Sequence, residues 1–463
     1  MQSSREPAQY DRWRTALLVG GGIAIGITAG GFVSGRTWRR FAVGLGIPAV
    51  VTLVIARANR AQMRESAEMN ATVEEPVRRR LVRADPREAR VSPLELFFDL
   101  VFVFALTQVT AFLAEDPTFA QLGRGLVLLA IIWWAWSGYA WLTSTVDPEL
   151  LLPRLVMFAA MAAMLVITLA TPGAFANDGV VWGLGYLAVR LLHAALFALA
   201  ARGDPALLRA VFSLVASLIP GAGLIILASA AFDGATRDLL WVAALVLDYG
   251  IVLSRGVKGW HVHAAHFAER FGLVLIIALG ESIVAIGIGA EAVELSAQVI
   301  LAGVLAVGVV CVLWWLYFDV VADVAEHRFV DATGLTQLRL ARDSYALLHL
   351  PMVAGIVLFA LGVKKILEHT GDPLKDMPAV ALCGGLALYL LAHVAFRLRN
   401  VGSVNVPRVF TAAVCLVLIP VATSVAGVAM LGLLLALFTS LTAFEVVRYA
   451  EARARIRAAR VGH

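Results

Sequence analysis

Several ionisable side chains of this sequence lie inside long apolar stretches, where they could bind or carry an ion. Glu281 lies about 12 residues into one such stretch, which corresponds to about 18 Å along a helix. A carboxyl group at that depth is costly in a bilayer and persists mainly where it pairs with a base or lines a polar path. We therefore expect Glu281 to be a protonatable or cation-binding carboxylate, and a structural ion pair is the alternative.

Two further acids, Glu95 and Asp99, lie near the start of another apolar stretch. Because they are four residues apart, they share one face of a helix. Gln108 follows deeper in the same stretch, so these three groups could form a polar opening to a central path. Alternatively, the two acids stabilise the positive N-terminal end of the helix, and Pro93 favours a helix start at this point.

Arg190 and His193 share one face of a later apolar stretch, at about mid-depth. An arginine inside a bilayer requires a partner, and we expect that partner to be Asp248 or Glu281. Both a structural ion pair and a working ion pair are compatible with this pattern.

Histidines and acids also cluster in the segment His261–Arg270. His263 or His266 together with Glu269 could supply metal ligands, but the segment lacks a fixed zinc-enzyme pattern such as H-E-x-x-H. Because a basic loop meets a helix here, we predict that Glu269 and Arg270 cap that helix and contact a neighbouring loop. We predict no metal and no cofactor, and we place His266, Glu269 and Arg270 at the cytoplasmic mouth.

The composition predicts the elements that position these residues. Hydrophobic residues make up 60% of the 463 residues and charged residues 15%, whereas a soluble domain has about 25% charged residues. A soluble fold cannot bury so much apolar surface, so we predict an all-α, polytopic integral membrane protein. The net charge of +5 is better explained by loop topology than by nucleic acid. Since P-loop and G-x-S-x-G motifs are absent, we expect no enzyme.

Apolar segments of spanning length predict a core of twelve helices in two halves, residues 92–254 and 255–449. Because six is an even number, the halves would share one orientation, as in a parallel 6+6 repeat. Residues 1–57 are predicted to form an N-terminal two-helix hairpin, which could instead be re-entrant or interfacial. Residues 58–91 form a basic linker, and residues 450–463 form a basic tail.

Loop charges predict the orientation in the membrane. With the linker in the cytoplasm, the cytoplasmic loops and tail of the core carry 17 Lys and Arg residues, and the external loops carry five. This bias follows the positive-inside rule. We therefore predict a multi-pass protein of the plasma (inner) membrane with both termini in the cytoplasm, where the tail would lie beside anionic lipid.

Two motifs resemble those of a known family. The first reads Ser92-Pro-Leu-Glu95-Leu-Phe-Phe-Asp99, and the second reads His266-x-x-Glu269-Arg270-x-Gly272 and ends at Gly280-Glu281. Both are similar to signatures of the bacterial low temperature requirement A proteins, and the resemblance covers about residues 91–448. The family is named for a cold-growth phenotype, which implies little chemistry. The resemblance implies that function depends on the following positions: Glu95, Asp99, Glu269, Arg270 and Glu281.

We expect a secondary transporter or an ion-conducting protein that uses intramembrane carboxylates, with a proton or small cation as its partner. The alternative is a non-transport membrane protein, either a structural or lipid-associated factor in cold growth or an intramembrane enzyme. A structural protein should hold its buried charges in closed ion pairs. A transporter should bring the following side chains to one cavity: Glu95, Asp99, Gln108, Arg190, Asp248 and Glu281.

Overall fold

The computed structural model describes residue 81 and residues 90–202, 204–291, 293–451 and 453–454. These described residues form helices and no β-strand, which confirms the predicted all-α class. The predicted N-terminal hairpin, nearly all of the basic linker and most of the basic tail lie outside the described residues.

The helices of the first half are α1 (Pro93–Glu115), α2 (Phe119–Thr145), α3 (Leu151–Ala170), α4 (Gly179–Ala200), α5 (Pro205–Ala231) and α6 (Gly234–Arg255). Those that open the second half are α7 (Ala264–Glu291), α8 (Ala297–Phe318), α9 (Val321–Asp331), α10 (Gly334–Leu340) and α11 (His349–Glu368). Those that complete it are α12 (Asp376–Ala379), α13 (Gly385–Val401), α14 (Val406–Val417), α15 (Ile419–Ala422) and α16 (Gly427–Arg448). Two π-helical turns join α10 to α11 and α12 to α13, at Ala341–Leu347 and Val380–Gly384.

Ten helical runs in the described part of the chain are long and apolar enough to cross a membrane. Each of the twelve predicted segments contains a helix, but α6 and α14 differ from the expected span. α14 has only 12 residues, and α6 carries four charged residues: Arg237, Asp238, Asp248 and Arg255. Twelve crossings therefore stay a prediction.

Corresponding pairs of helices are neighbours in both halves. α1 packs against α2 and α3, and α7 packs against α8 and α11 in the same order along the chain. Likewise, α2 contacts α6, and α8 contacts α16. The predicted parallel repeat would produce this correspondence, and the superposition of the two halves stays a prediction.

The two halves meet along α1 and α7, which lie against each other, while α2 and α11 pack against both. A hydrogen bond strengthens this junction, because Trp133 Nε1 of α2 donates to the carbonyl oxygen of Ala346 at 2.7 Å. That carbonyl belongs to the π-helical turn before α11. The predicted site residues Glu95, Asp99 and Gln108 therefore lie on one side of this junction, on α1. Arg270 and Glu281 lie on the other side, on α7.

Candidate functional site

A capping box at Ser92 fixes the position of Glu95 at the start of α1. The Ser92 hydroxyl accepts a hydrogen bond from the Glu95 backbone N–H at 3.3 Å, and the Glu95 carboxylate accepts one from the Ser92 N–H at 2.9 Å. Pro93 occupies the first helical position, where a missing N–H leaves no helical hydrogen bond unmade. The predicted role of Glu95 at the helix N-terminus thus agrees with the local geometry.

Glu95 and Asp99 of α1 meet His266 and Arg270 of α7 in one buried group of side chains, which we call the mouth cluster. Arg270 Nη1 donates to Glu95 Oε1 at 3.2 Å, and Arg270 Nη2 donates to Asp99 Oδ1. His266 Nε2 lies 3.0 Å from Glu95 Oε1. All four side chains are at most 1% exposed, so their charges must balance one another within the protein.

α2 completes the surroundings of the mouth cluster. Trp136 Nε1 donates to Asp99 Oδ1 at 2.8 Å, and Thr143 Oγ1 accepts from Arg270 Nη1 at 2.7 Å. The guanidinium carbon of Arg270 also lies 5.6 Å from the centre of a Trp136 ring, which is within cation–π range. The cluster contains two carboxyl groups and one arginine, so a proton on His266 would make it neutral.

The predicted cap formed by Glu269 and Arg270 is wrong, because α7 begins earlier, at Ala264. Both residues therefore lie in the second turn of the helix, where their side chains diverge. Arg270 turns inward to the mouth cluster. Glu269 is exposed and accepts a hydrogen bond from the Val91 N–H at 3.1 Å, so it ties the segment before α1 to α7.

Arg190 pairs with Asp248, and not with Glu281, which was the other predicted partner. Arg190 Nη2 donates to Asp248 Oδ1 at 3.1 Å, and the Tyr186 hydroxyl donates to Asp248 Oδ2. The Arg190 and Asp248 side chains are only 2% and 4% exposed. His193 is buried one turn after Arg190 on α4. These groups join α4 to α6 as a closed ion pair.

A third closed ion pair involves Arg408, which is not among the site residues predicted from the sequence. Arg408 Nε and Nη2 donate to the two carboxylate oxygens of Glu445, each at 2.8 Å. Asn405 caps α14 and also donates to Glu445 at 2.8 Å, while Arg408 Nη1 lies 2.8 Å from His393 Nδ1. The signal that could have identified Arg408 is the Asn-Val-Pro-Arg helix start, followed by an otherwise unpaired acid in the last helix.

Glu281 differs from the other buried acids because no arginine bonds to it. Five acidic side chains are buried in the part of the chain that the structure describes. Glu281 is 1% exposed, Thr107 Oγ1 of α1 lies 2.5 Å from its Oε2, and its Oε1 has no hydrogen-bond partner among the described residues. The acids that do pair with an arginine are Glu95, Asp99, Asp248 and Glu445.

Glu281 is also remote from the mouth cluster along α7. It lies 11 residues after Arg270, which corresponds to about 16 Å along the helix. It lies slightly past the middle of the 28-residue helix, so it is deeper than the sequence indicated. Gln108 is half-buried and follows Thr107 on α1. The side chains predicted to converge on one cavity therefore occupy three places: the mouth cluster, the α4–α6 pair and the α1–α7 contact around Glu281.

Aromatic rings close the space next to the mouth cluster. The centre of the Phe271 ring lies 4.9 Å from that of Trp136, 5.9 Å from that of Trp133 and 5.3 Å from that of His349. Phe271 follows Arg270 directly and Trp136 donates to Asp99, so this aromatic layer packs directly against the mouth cluster. Glu281 lies ten residues further along α7, about 15 Å beyond Phe271.

Comparisons with known proteins connect this arrangement to a family. Residues 90–443 match the sequence profile of the bacterial low temperature requirement A protein, LtrA. The chain is also similar to an uncharacterized protein of Rhizobium meliloti (strain 1021), with 31% identity over 324 residues, which are 65% of this chain and 76% of that protein. No solved structure matches the chain. The matched region contains the mouth cluster, the Arg190–Asp248 pair and Glu281, and the chain belongs to the bacterial low temperature requirement A protein family.

Proposed function

We propose that this protein moves a proton or small cation across the membrane, as a secondary transporter or an ion-conducting protein, with Glu281 as the working carboxyl. The supporting observation is that Glu281, alone among the buried acids of the described residues, has no ion pair. A buried carboxylate requires a compensating positive charge. An arginine supplies a permanent one, whereas a proton or cation can bind and leave again.

In this proposal, the mouth cluster controls access to Glu281. A proton that reaches this group changes the charge that Arg270 must balance, because His266 and Arg270 both lie within 3.2 Å of the Glu95 carboxylate. We assign the barrier between the cluster and Glu281 to the aromatic layer around Phe271, so the ion would pass only when α1 and α7 move relative to each other. Ion movement would therefore be coupled to a conformational change.

The proposal also includes a location. We propose that the protein lies in the plasma membrane with the mouth cluster at the cytoplasmic end, because the basic loops and the tail favour that side. Its basic tail would then contact anionic lipid headgroups. The proposed activity involves no covalent chemistry, so no catalytic residue is assigned.

The second candidate is a non-transport role, as a structural or lipid-associated factor. The observation that favours it is that Arg190, Arg270 and Arg408 all hold buried acids in closed pairs between packed helices. These pairs explain how the helices are held together, but they do not explain Glu281. The two candidates therefore differ in what they predict for that residue.

Ion flux into liposomes tests the proposal. We expect the purified protein to conduct protons, Na⁺ or K⁺ down an imposed gradient, and we expect Glu281→Gln to abolish that flux because it removes the ionisable group while keeping its size. The matched control is Glu291→Gln, the same change at the exposed last residue of α7, which should conduct like the wild type. An undiminished flux in Glu281→Gln would contradict the proposal, as would a wild-type protein that conducts none of the three ions.

A further inference from the structure

We infer that the ligand of Glu281 is a proton, carried on the carboxyl group and oriented by the hydroxyl of Thr107. This inference deepens the proposed function, because it rests on Glu281 as the working group and names the ion. Three observations support it: the geometry of the Thr107 hydroxyl, the position of the nearest titratable groups, and the small number of ligands available for a metal ion.

The Thr107 hydroxyl lies close to two oxygen atoms. Its Oγ1 is 3.2 Å from the Val103 carbonyl oxygen and 2.5 Å from Glu281 Oε2. A hydroxyl has one hydrogen, so it can donate to only one of these oxygens. The bond to Val103 is the usual one from a helical threonine to the carbonyl four residues earlier. If Thr107 donates there, Glu281 must carry a hydrogen and donate to Thr107, and both contacts become hydrogen bonds.

Charged groups on α7 and the helices packed against it lie at other depths than Glu281. Among the described residues of these helices, the one thiol near that depth, Cys311 of α8, has an exposed side chain. On α7 itself, Arg270 and His266 are about 16 and 22 Å from the level of Glu281 on one side, and Glu291 is about 15 Å away on the other. His349 of α11 and Tyr317 of α8 are near the level of Phe271, and Lys364 of α11 is level with Gly289. The remaining groups are at the helix ends or in the mouth region: Glu115, Arg124, Tyr139, Glu269, Asp323, Glu326, His327, Arg328, Asp331, Arg342, Asp343, Tyr345, Lys365 and Glu368.

The described residues around Glu281 supply too few ligands for a metal ion. Hard cations such as Ca²⁺ and Mg²⁺ take six or more oxygen ligands. The polar group that the described structure brings to the Glu281 carboxylate is a single hydroxyl, and the described residues contain no group of three or more acidic, histidine or cysteine side chains placed to hold a metal ion. A proton needs no such ligand shell: it binds to one carboxyl oxygen, and the resulting O–H group needs a single acceptor, which the Thr107 hydroxyl supplies.

The transport step consists of the release of one proton by the Glu281 carboxyl and the uptake of another. The Glu281 O–H bond breaks when α1 and α7 move and water reaches the carboxyl, the proton leaves to that water, and the electron pair stays on the carboxylate. Uptake from water on the opposite side restores the O–H bond and its hydrogen bond to Thr107. No other reactant is required.

Infrared spectroscopy of the reconstituted protein tests the inference. At neutral pH we expect a carbonyl stretch from a protonated carboxyl that shifts in D₂O, is missing in Glu281→Gln and is retained in Glu291→Gln. Thr107→Val, which keeps the shape but removes the hydroxyl, should move this band to the frequency of a less hydrogen-bonded acid. Thr107→Ser, which restores a hydroxyl, should return the band towards the wild-type position.

Flux measurements in the same liposomes separate the inference from the proposed function. We expect proton flux without Na⁺ or K⁺ flux, and we expect Thr107→Val to reduce the proton flux more than Thr107→Ser does. Flux of Na⁺ or K⁺ that depends on Glu281, without proton flux, would overturn the inference and leave the proposed function standing. The Glu281 band without flux of any ion would support the protonated carboxyl and overturn the proposed function. Absence of a Glu281-dependent band would overturn the inference whatever the flux.

Discussion

Replacing Arg270 with leucine is expected to remove most of the folded protein from the membrane. Arg270 bonds to both Glu95 and Asp99, and all three side chains are fully buried. Removing one partner of a buried ion pair destabilises a protein by about 3–5 kcal/mol, and here two acids lose their arginine together. Because a whole domain is stable by only about 5–15 kcal/mol, we expect low membrane yield and a large drop in the unfolding midpoint in detergent.

The control for Arg270 is an arginine in an exposed ion pair. Arg154 bonds to Glu149 with side chains that are 40% and 54% exposed, and such pairs contribute only about 0–1 kcal/mol. Arg154→Leu should therefore accumulate normally. Adding Glu95→Gln and Asp99→Asn to Arg270→Leu should recover part of the yield, since no buried charge is then left unpaired. Normal stability of Arg270→Leu alone would mean that the mouth cluster does not hold α1 to α7.

Replacing Arg190 with glutamine is the second change that we expect to have a large effect. It leaves Asp248 buried without its cation, so the free energy of unfolding should fall by about 3–5 kcal/mol. Adding Asp248→Asn should restore much of that loss, because the Tyr186 hydroxyl can still donate to the amide oxygen of the new side chain. Unfolding of the single and double variants in detergent gives the coupling energy between the two positions.

Glu281→Gln in the Arg190→Gln background is the matched comparison for that rescue. The structure pairs Arg190 with Asp248, so neutralising Glu281 should restore nothing. Rescue by Glu281→Gln, with none by Asp248→Asn, would reverse this assignment and would make Glu281 half of a structural ion pair.

Local sequence signals predicted α1 and the position of its acids well. Ser92, Pro93 and Glu95 together specify a helix start through capping, which depends on residues within one turn. The four-residue spacing of Glu95 and Asp99 also placed both acids on the face that meets Arg270. The predicted family and all-α class were confirmed as well, because long apolar segments and two extended motifs carry that information without reference to distant contacts.

Pairing between helices could not be predicted in the same way. An apolar helix shows which residues are charged but not which neighbouring helix they face, so Arg190 had two possible partners and Arg408 had none assigned. Arg408 lies just inside α14, where a charge count attributes it to the loop. The six side chains expected at one cavity occupy separate places for the same reason, because shared depth in a membrane does not place side chains on facing surfaces.

The unfolding midpoint of Glu281→Gln in detergent tests the central claim most directly, because that claim holds that this buried acid is kept for ion movement and not for the fold. Glutamine preserves the size of the side chain and can donate to Thr107, and the described structure pairs no arginine with Glu281 that the change would strand. We predict stability within about 1 kcal/mol of the wild type, in the range of substitutions that leave no buried charge unpaired. A loss of several kcal/mol, comparable to that of Arg190→Gln, would show that Glu281 balances a buried cation and would contradict its role as the working carboxyl.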